Sequence, residues 1–223
     1  MPRADEILAN VNAIEARIAA ACARADRSRA DVKLVAVTKT FPASDVDHAI
    51  AAGMTDVGEN KVQEARHKRP SVTGSARWHL IGHLQSNKAK DAVRLFDVIQ
   101  TIDSIELAER VARFAEAEGK RQEVLVQVNV GDEAQKSGAE IADGPSLVRR
   151  ISELPSLHLA GLMAIPPLGD AEAMRPYFRS LRALRDDLGL QELSMGMTDD
   201  FEVAIEEGAT LIRVGRAIFG ARS

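Results

Sequence analysis

Cysteine is almost missing from this chain of 223 residues: Cys22 stands alone, so no intramolecular disulfide and no multi-cysteine metal site can form. That fits a reducing cytosol. Aromatic residues make up only 4%, too few for a platform on which bases stack. Positive charge is not in excess either: 29 Lys and Arg face 33 Asp and Glu, a formal net charge of −4. A phosphate-backbone binder needs a basic face, so nucleic acid is not an expected partner. Long apolar runs are lacking too. The longest uncharged one, residues 157–169, is broken by Pro166 and Pro167 and is too short to span a bilayer. Asp5 and Glu6 stand where a signal peptide would be apolar. A cytoplasmic protein without membrane contact is the expectation.

What is present is a globular balance, 45% hydrophobic and 28% charged, on a chain long enough for one full-sized core. Residues 4–25 place Ile7, Val11, Ile14, Ile18 and Cys22 at spacings of three and four, one apolar face of a helix. After Asp31 the rhythm changes to short apolar runs at 33–38, 55–59, 78–82, 97–102, 124–130, 157–165, 192–196 and 210–215. Helical patterns separate them at 44–52, 104–118 and 171–188. Strands alternating with helices imply crossover connections and a parallel sheet. Eight strand candidates predict a single α/β domain over residues 1–223, a closed (β/α)8 TIM-type barrel, with an extra N-terminal helix within residues 1–30 packed on it. A doubly wound open sheet is the alternative. Its dinucleotide version has no support, because no G-x-G-x-x-G follows the first strand.

In such barrels the active site lies at the C-terminal ends of the strands. Those ends carry Lys39, Glu59 and Asn60, His79 to His83, Asn129, Met163 to Pro167, Ser194 to Thr198 and Arg213 to Arg216. Lys39 reads two ways. It is a lysine snorkelling from a strand end, or an amine kept neutral by desolvation and neighbouring cations, the form that attacks an aldehyde. Residues 194–198 and 213–216 each bring glycine to a turn before a predicted helix, after strands 7 and 8, where this fold usually holds phosphate. Two ordinary turns are the plain alternative. His79 and His83 are four apart with no third ligand type nearby, so no metal site is expected. Asp199 and Asp200 read as helix-start capping residues.

The segments AVTKT (36–40), GENKVQE (58–64), WHLIGHLQSNK (78–88), KSG (136–138), GLMAIPP (161–167), SMGMTDDFEVAI (194–205) and RVGRAIFG (213–220) resemble the YggS/PROSC family. These are pyridoxal 5′-phosphate (PLP) homeostasis proteins related to the barrel domain of alanine racemases. The resemblance implies a type III PLP fold, a Schiff base on Lys39, and a role in supplying cofactor rather than in turnover, with no catalytic residue assigned. It implies Asn60 near the ring face and hydroxyl, Arg213 opposite the pyridine nitrogen, Ser194 and Thr198 flanking the phosphate, and Gly215 and Arg216 touching it through their backbone. PLP-dependent apo-enzymes are the implied partners of a monomer. Thr198 stands where serine is frequent and Arg216 where threonine is frequent. Lys61 replaces a tyrosine or arginine without a physical reason that we can give. Lys136 reads as a solvated loop lysine or a secondary PLP contact.

A racemase is the alternative enzyme. It tolerates the arginine but needs a tyrosine from a second, β domain. This chain ends at Ser223, and its single tyrosine, Tyr177, falls in a predicted exterior helix, so half of that machinery is expected to be absent. A class I aldolase-like barrel, using Lys39 without cofactor, is a third reading.

Overall fold

The computed structural model describes residues 1–131, 137–167 and 169–221; Lys136 lies outside the described residues. Its centre is a closed, all-parallel barrel in sequential order. The strands are β1 Lys33–Val37, β2 Asp56–Glu59, β3 Arg77–Leu80, β4 Val98–Ile102, β5 Gln122–Gln127, β6 Leu157–Met163, β7 Glu192–Ser194 and β8 Leu211–Val214. Closure runs through β1 and β8, with Lys33 opposite Leu211 and Val35 opposite Arg213. Strands buried on both faces read as continuous apolar runs. That is why β4, all of it buried, lacks alternation in sequence.

The helices are α1 Arg3–Arg24, α2 Ala43–Ala51, α3 Val62–Lys68, α4 Ala89–Leu95, α5 Ile105–Ala117, α6 Gly144–Ser152, α7 Ala171–Asp187, α8 Phe201–Glu206 and α9 Arg216–Phe219. Where α5 begins, the Ser104 hydroxyl accepts from the Leu107 N–H at 3.3 Å, a cap worth ~1 kcal/mol. The main apolar layer lies between strands and helices, with Trp78, Leu80, Ile99, Ile102 and Phe178 in it. A second, smaller cluster of Val98, Leu125, Ala160 and Met163 forms apart from it. This is the barrel lumen, filled by the alternate residues of the strands.

The helix expected near the N-terminus lies against α2, α8 and α9. Ile7, Val11, Ile14, Ile18 and Cys22 are all buried on its inner face, each large side chain contributing ~1.5–3 kcal/mol by burial. Asn10 donates to the Ile218 carbonyl at 2.9 Å and Arg3 to the Phe219 carbonyl at 2.8 Å. So α1 holds α9, the element that directly follows Gly215.

The helix expected near Asp199 begins at Phe201 instead. Asp200 is its N-terminal flanking residue, but its carboxylate reaches back to accept the Met197 N–H at 2.6 Å. Asp199 pairs with Arg216. Both carboxylates are therefore engaged in the loops of the barrel mouth rather than in capping.

Candidate functional site

A cavity of about 230 Å³ opens at the C-terminal ends of the strands. Lys39, Asn60, Thr198, Arg213, Gly215 and Arg216 line it together, drawn from the ends of β1, β2, β7 and β8. Ile81 and Ile165 supply an apolar wall. A separate cleft of about 510 Å³, lined by Arg77, Lys120 and Glu123 among others, lies at the opposite end, where strands begin.

Lys39 is two residues beyond β1, half-buried, on a segment gripped from both sides. Before it, Thr38 is fully buried and its hydroxyl donates to Glu59 Oε1 at 2.6 Å. After it, Thr40 adopts φ 72°, a left-handed conformation rare for a β-branched residue. Such strain is of order 1–3 kcal/mol and persists only where the surroundings enforce it. Here Glu64 accepts the Thr40 N–H, and Lys68 Nζ donates to the Thr38 carbonyl at 2.7 Å.

Lys68 also donates to Glu59 at 2.5 Å and Glu64 at 3.0 Å. Burial holds the Glu59 carboxyl above its ordinary range, while Lys68 and Thr38 pull the other way. Glu59 Oε2 has no hydrogen-bond partner among the described residues. The sequence reading placed Glu59 at a strand end but missed Lys68. The available signal was the i, i+4 spacing of Glu64 and Lys68.

Asn60 is set in place by close backbone packing. A side chain at Gly82 would bring its Cβ within 2.2 Å of the Asn60 carbonyl, so only glycine lets the loop after β3 pass there. At Gly215 the added Cβ would meet the Val37 carbonyl at 3.0 Å. The glycine therefore serves the contact of β8 with β1 beside Lys39.

Arg213 is buried, at 3% exposure. Its Nη1 donates to the Ser194 hydroxyl at 2.6 Å and its Nη2 to the Ala164 carbonyl at 2.8 Å. Burial pushes the guanidinium down to about 10, with Asp200 opposing, so it stays charged at neutral pH. Ser194 is fully buried, its hydroxyl donating to Gln100 Oε1 at 2.6 Å. It supports Arg213 from below and is not among the residues lining the cavity. Arg216 is exposed at the rim, and its Nη2 lies 2.5 Å from both carboxylate oxygens of Asp199. His79 and His83 diverge: His79 is fully buried, while His83 is exposed and lies 3.4 Å from Asp103.

An amine, a buried guanidinium, a rim guanidinium and a hydroxyl around one cavity make a receptor for an anionic carbonyl compound. The family model for the alanine racemase N-terminal domain matches residues 9–223. A pyridoxal phosphate homeostasis protein of Pseudomonas aeruginosa is 44% identical over 220 residues, covering 97% of this chain and 96% of the relative. Its namesake in Escherichia coli K12 is 40% identical, covering 98% and 97%. The chain belongs to the alanine racemase N-terminal domain family, and within it to the group of pyridoxal phosphate homeostasis proteins. Among solved structures, PipY of Synechococcus elongatus PCC7942 with PLP bound superposes with a TM-score of 0.82 at 39% identity, over 93% of this chain and all 100% of that one. An alanine racemase of Clostridium difficile 630 shares the fold, with a TM-score of 0.74 at 14% identity, over 97% of this chain and 57% of that one. No helix among the described residues is long and apolar enough to cross a membrane.

Proposed function

We propose that this protein binds PLP at the barrel mouth and works as a cytoplasmic carrier in PLP homeostasis, without strong catalytic turnover. The convergence of Lys39, Arg213 and Arg216 on one cavity carries the reading. Relatives named for PLP homeostasis and a neighbour solved with PLP support it. Bound PLP supplies an aldehyde that exchanges between amines. Lys39 offers the amine, on a segment that Lys68 and Glu64 hold rigid. Arg213 would face the ring nitrogen as a cation, and a cation there would disfavour ring protonation and weaken carbanion chemistry. Thr198, Arg216 and the backbone at Gly215 would hold the phosphate, and Asn60 would lie by the ring face and its hydroxyl. Ser194 acts through Arg213.

A monomer that hands PLP to apo-enzymes completes the proposal; the exposed, ion-paired rim at Arg216 leaves the mouth open to an acceptor. Tyr177 sits on α7, packed against the strand–helix layer rather than at the cavity, so this phenol does not serve as a racemase acid there. The test is twofold. Purified protein with PLP should absorb in the visible, and alanine in heavy water should keep its α-proton on the NMR timescale of hours. α-Proton loss at ordinary enzyme rates would replace the carrier with a racemase. A colourless, PLP-free protein would end the PLP reading altogether.

A further inference from the structure

Arg213 does not end at Ser194. From the Gln100 side chain the hydrogen bonds continue down the lumen. Gln100 Nε2 lies 2.9 Å from His79 Nδ1, and His79 Nε2 lies 2.8 Å from Asp56 Oδ1. Asp56 opens β2, at the end of the barrel opposite the cavity. The five residues come from β8, β7, β4, β3 and β2, and all are buried.

The polarity of this chain is fixed by its upper end. Arginine has no acceptor, so Ser194 Oγ must accept from it, and the Ser194 hydroxyl proton points onward to Gln100 Oε1. The Gln100 amide therefore presents its NH2 to His79 Nδ1, which must accept. The ring proton then sits on Nε2 and is donated to the Asp56 carboxylate. Every link donates in one direction, from a cation at the mouth to an anion at the floor. Thr55 donates to the other Asp56 oxygen at 2.7 Å, so the anion is fixed at its own end. Aligned links polarise one another in a low-dielectric interior.

We propose that His79 and Asp56 are positioning residues for Arg213, a one-way donor chain that fixes the orientation of its guanidinium and the field it presents to the ring of bound PLP. This rests on the reading of Arg213 as the ring-nitrogen contact. The opposite order would make Ser194 Oγ accept from both Arg213 and Gln100 and leave its own hydroxyl proton without an acceptor among these five residues, so the order with Ser194 donating is favoured.

Nitrogen NMR of the full chain without ligand tests the order by itself. His79 should show Nδ1 without a proton and Nε2 with one. In Gln100→Glu, a near-isosteric change, the new carboxylate can only accept when ionised, so His79 should become doubly protonated. A wild-type His79 carrying its proton on Nδ1 would overturn the proposal. The second readout is the visible absorption maximum of bound PLP. His79→Leu and Ser194→Ala should each shift it in the same direction, and Gln100→Glu, which keeps the Ser194 contact but adds charge, should shift it as well. The double variant His79→Leu with Ser194→Ala should shift it no further than Ser194→Ala alone, because the link is already cut. Additive shifts, or a wild-type maximum in folded Gln100→Glu protein, would show that the lumen residues merely fill space. Failure of the wild type to bind PLP would sink the function proposed above and leave the NMR result standing.

Discussion

The Arg216 guanidinium spans both carboxylate oxygens of Asp199 at 2.5 Å, at the rim of the cavity that Lys39 shares. A phosphate arriving at Arg216 therefore meets a carboxylate already there. Exposed ion pairs are worth ~0–1 kcal/mol, which bounds the competition at about fivefold in affinity. Asp199→Asn should tighten PLP binding by up to that factor at low ionic strength, with the advantage fading at high salt. Absorbance titrations at two salt concentrations measure it. Weaker binding in the variant would mean that Asp199 orients Arg216 rather than competing for it.

Borohydride treatment of PLP-loaded protein should fix a pyridoxyl group on the peptide containing Lys39. A label found wholly on another lysine would refute the assignment. Lys39→Ala should lose the visible band while keeping the fold, because Lys39 lies outside the barrel strands and the apolar layer.

Removing the phosphate tests the other end of the cavity. Pyridoxal should bind at least about tenfold more weakly than PLP, since even one charge-assisted hydrogen bond is worth ~1.5–3 kcal/mol. Gly215→Val should harm binding more than Thr198→Ser does. Its side chain would push on Val37, and Val37 lines the cavity two residues before Lys39. Equal affinities for pyridoxal and PLP would place the anion site elsewhere.

Lys68→Met leaves Glu59 buried without its cation. A loss of ~3–5 kcal/mol in urea unfolding is expected at neutral pH. Glu59 already titrates above its ordinary value in the folded protein, through burial. Its contribution is thus most favourable at acid pH and falls as pH rises through the folded value. The variant should accordingly be least impaired under acid conditions, and Glu59→Gln added to Lys68→Met should recover part of the loss at neutral pH. A loss that does not change with pH would mean that packing of the lysine stem, not the unpaired charge, is responsible.

Much of this architecture is legible in the chain, and the exceptions have physical reasons. The eight apolar runs mark the strands because a parallel barrel buries both faces of each one. Lys39, Asn60, Thr198 and Arg216 are legible because strand ends in this fold open onto one cavity. The inward orientation of Ser194 beneath Arg213 is not legible, since the three residues of β7 are too few to show which face points inward. The i, i+4 spacing pairs Lys68 with Glu64, but its contacts with Thr38 and Glu59, and those of His79 with Gln100 and Asp56, come from other elements, which spacing along the chain does not reveal. The helices α3, α4 and α6 span only seven to nine residues each, two turns or so, and leave little periodicity to read.

Thr55, Asp56 and the polar lumen above them carry a lesson for engineering. A redesign that refilled the barrel with leucine and valine would remove buried polar groups, a replacement that is often neutral or stabilising elsewhere. It would also cut the scaffold beneath Arg213. Anyone transplanting this mouth onto another barrel must therefore move the whole axis, floor included, and not the rim residues alone.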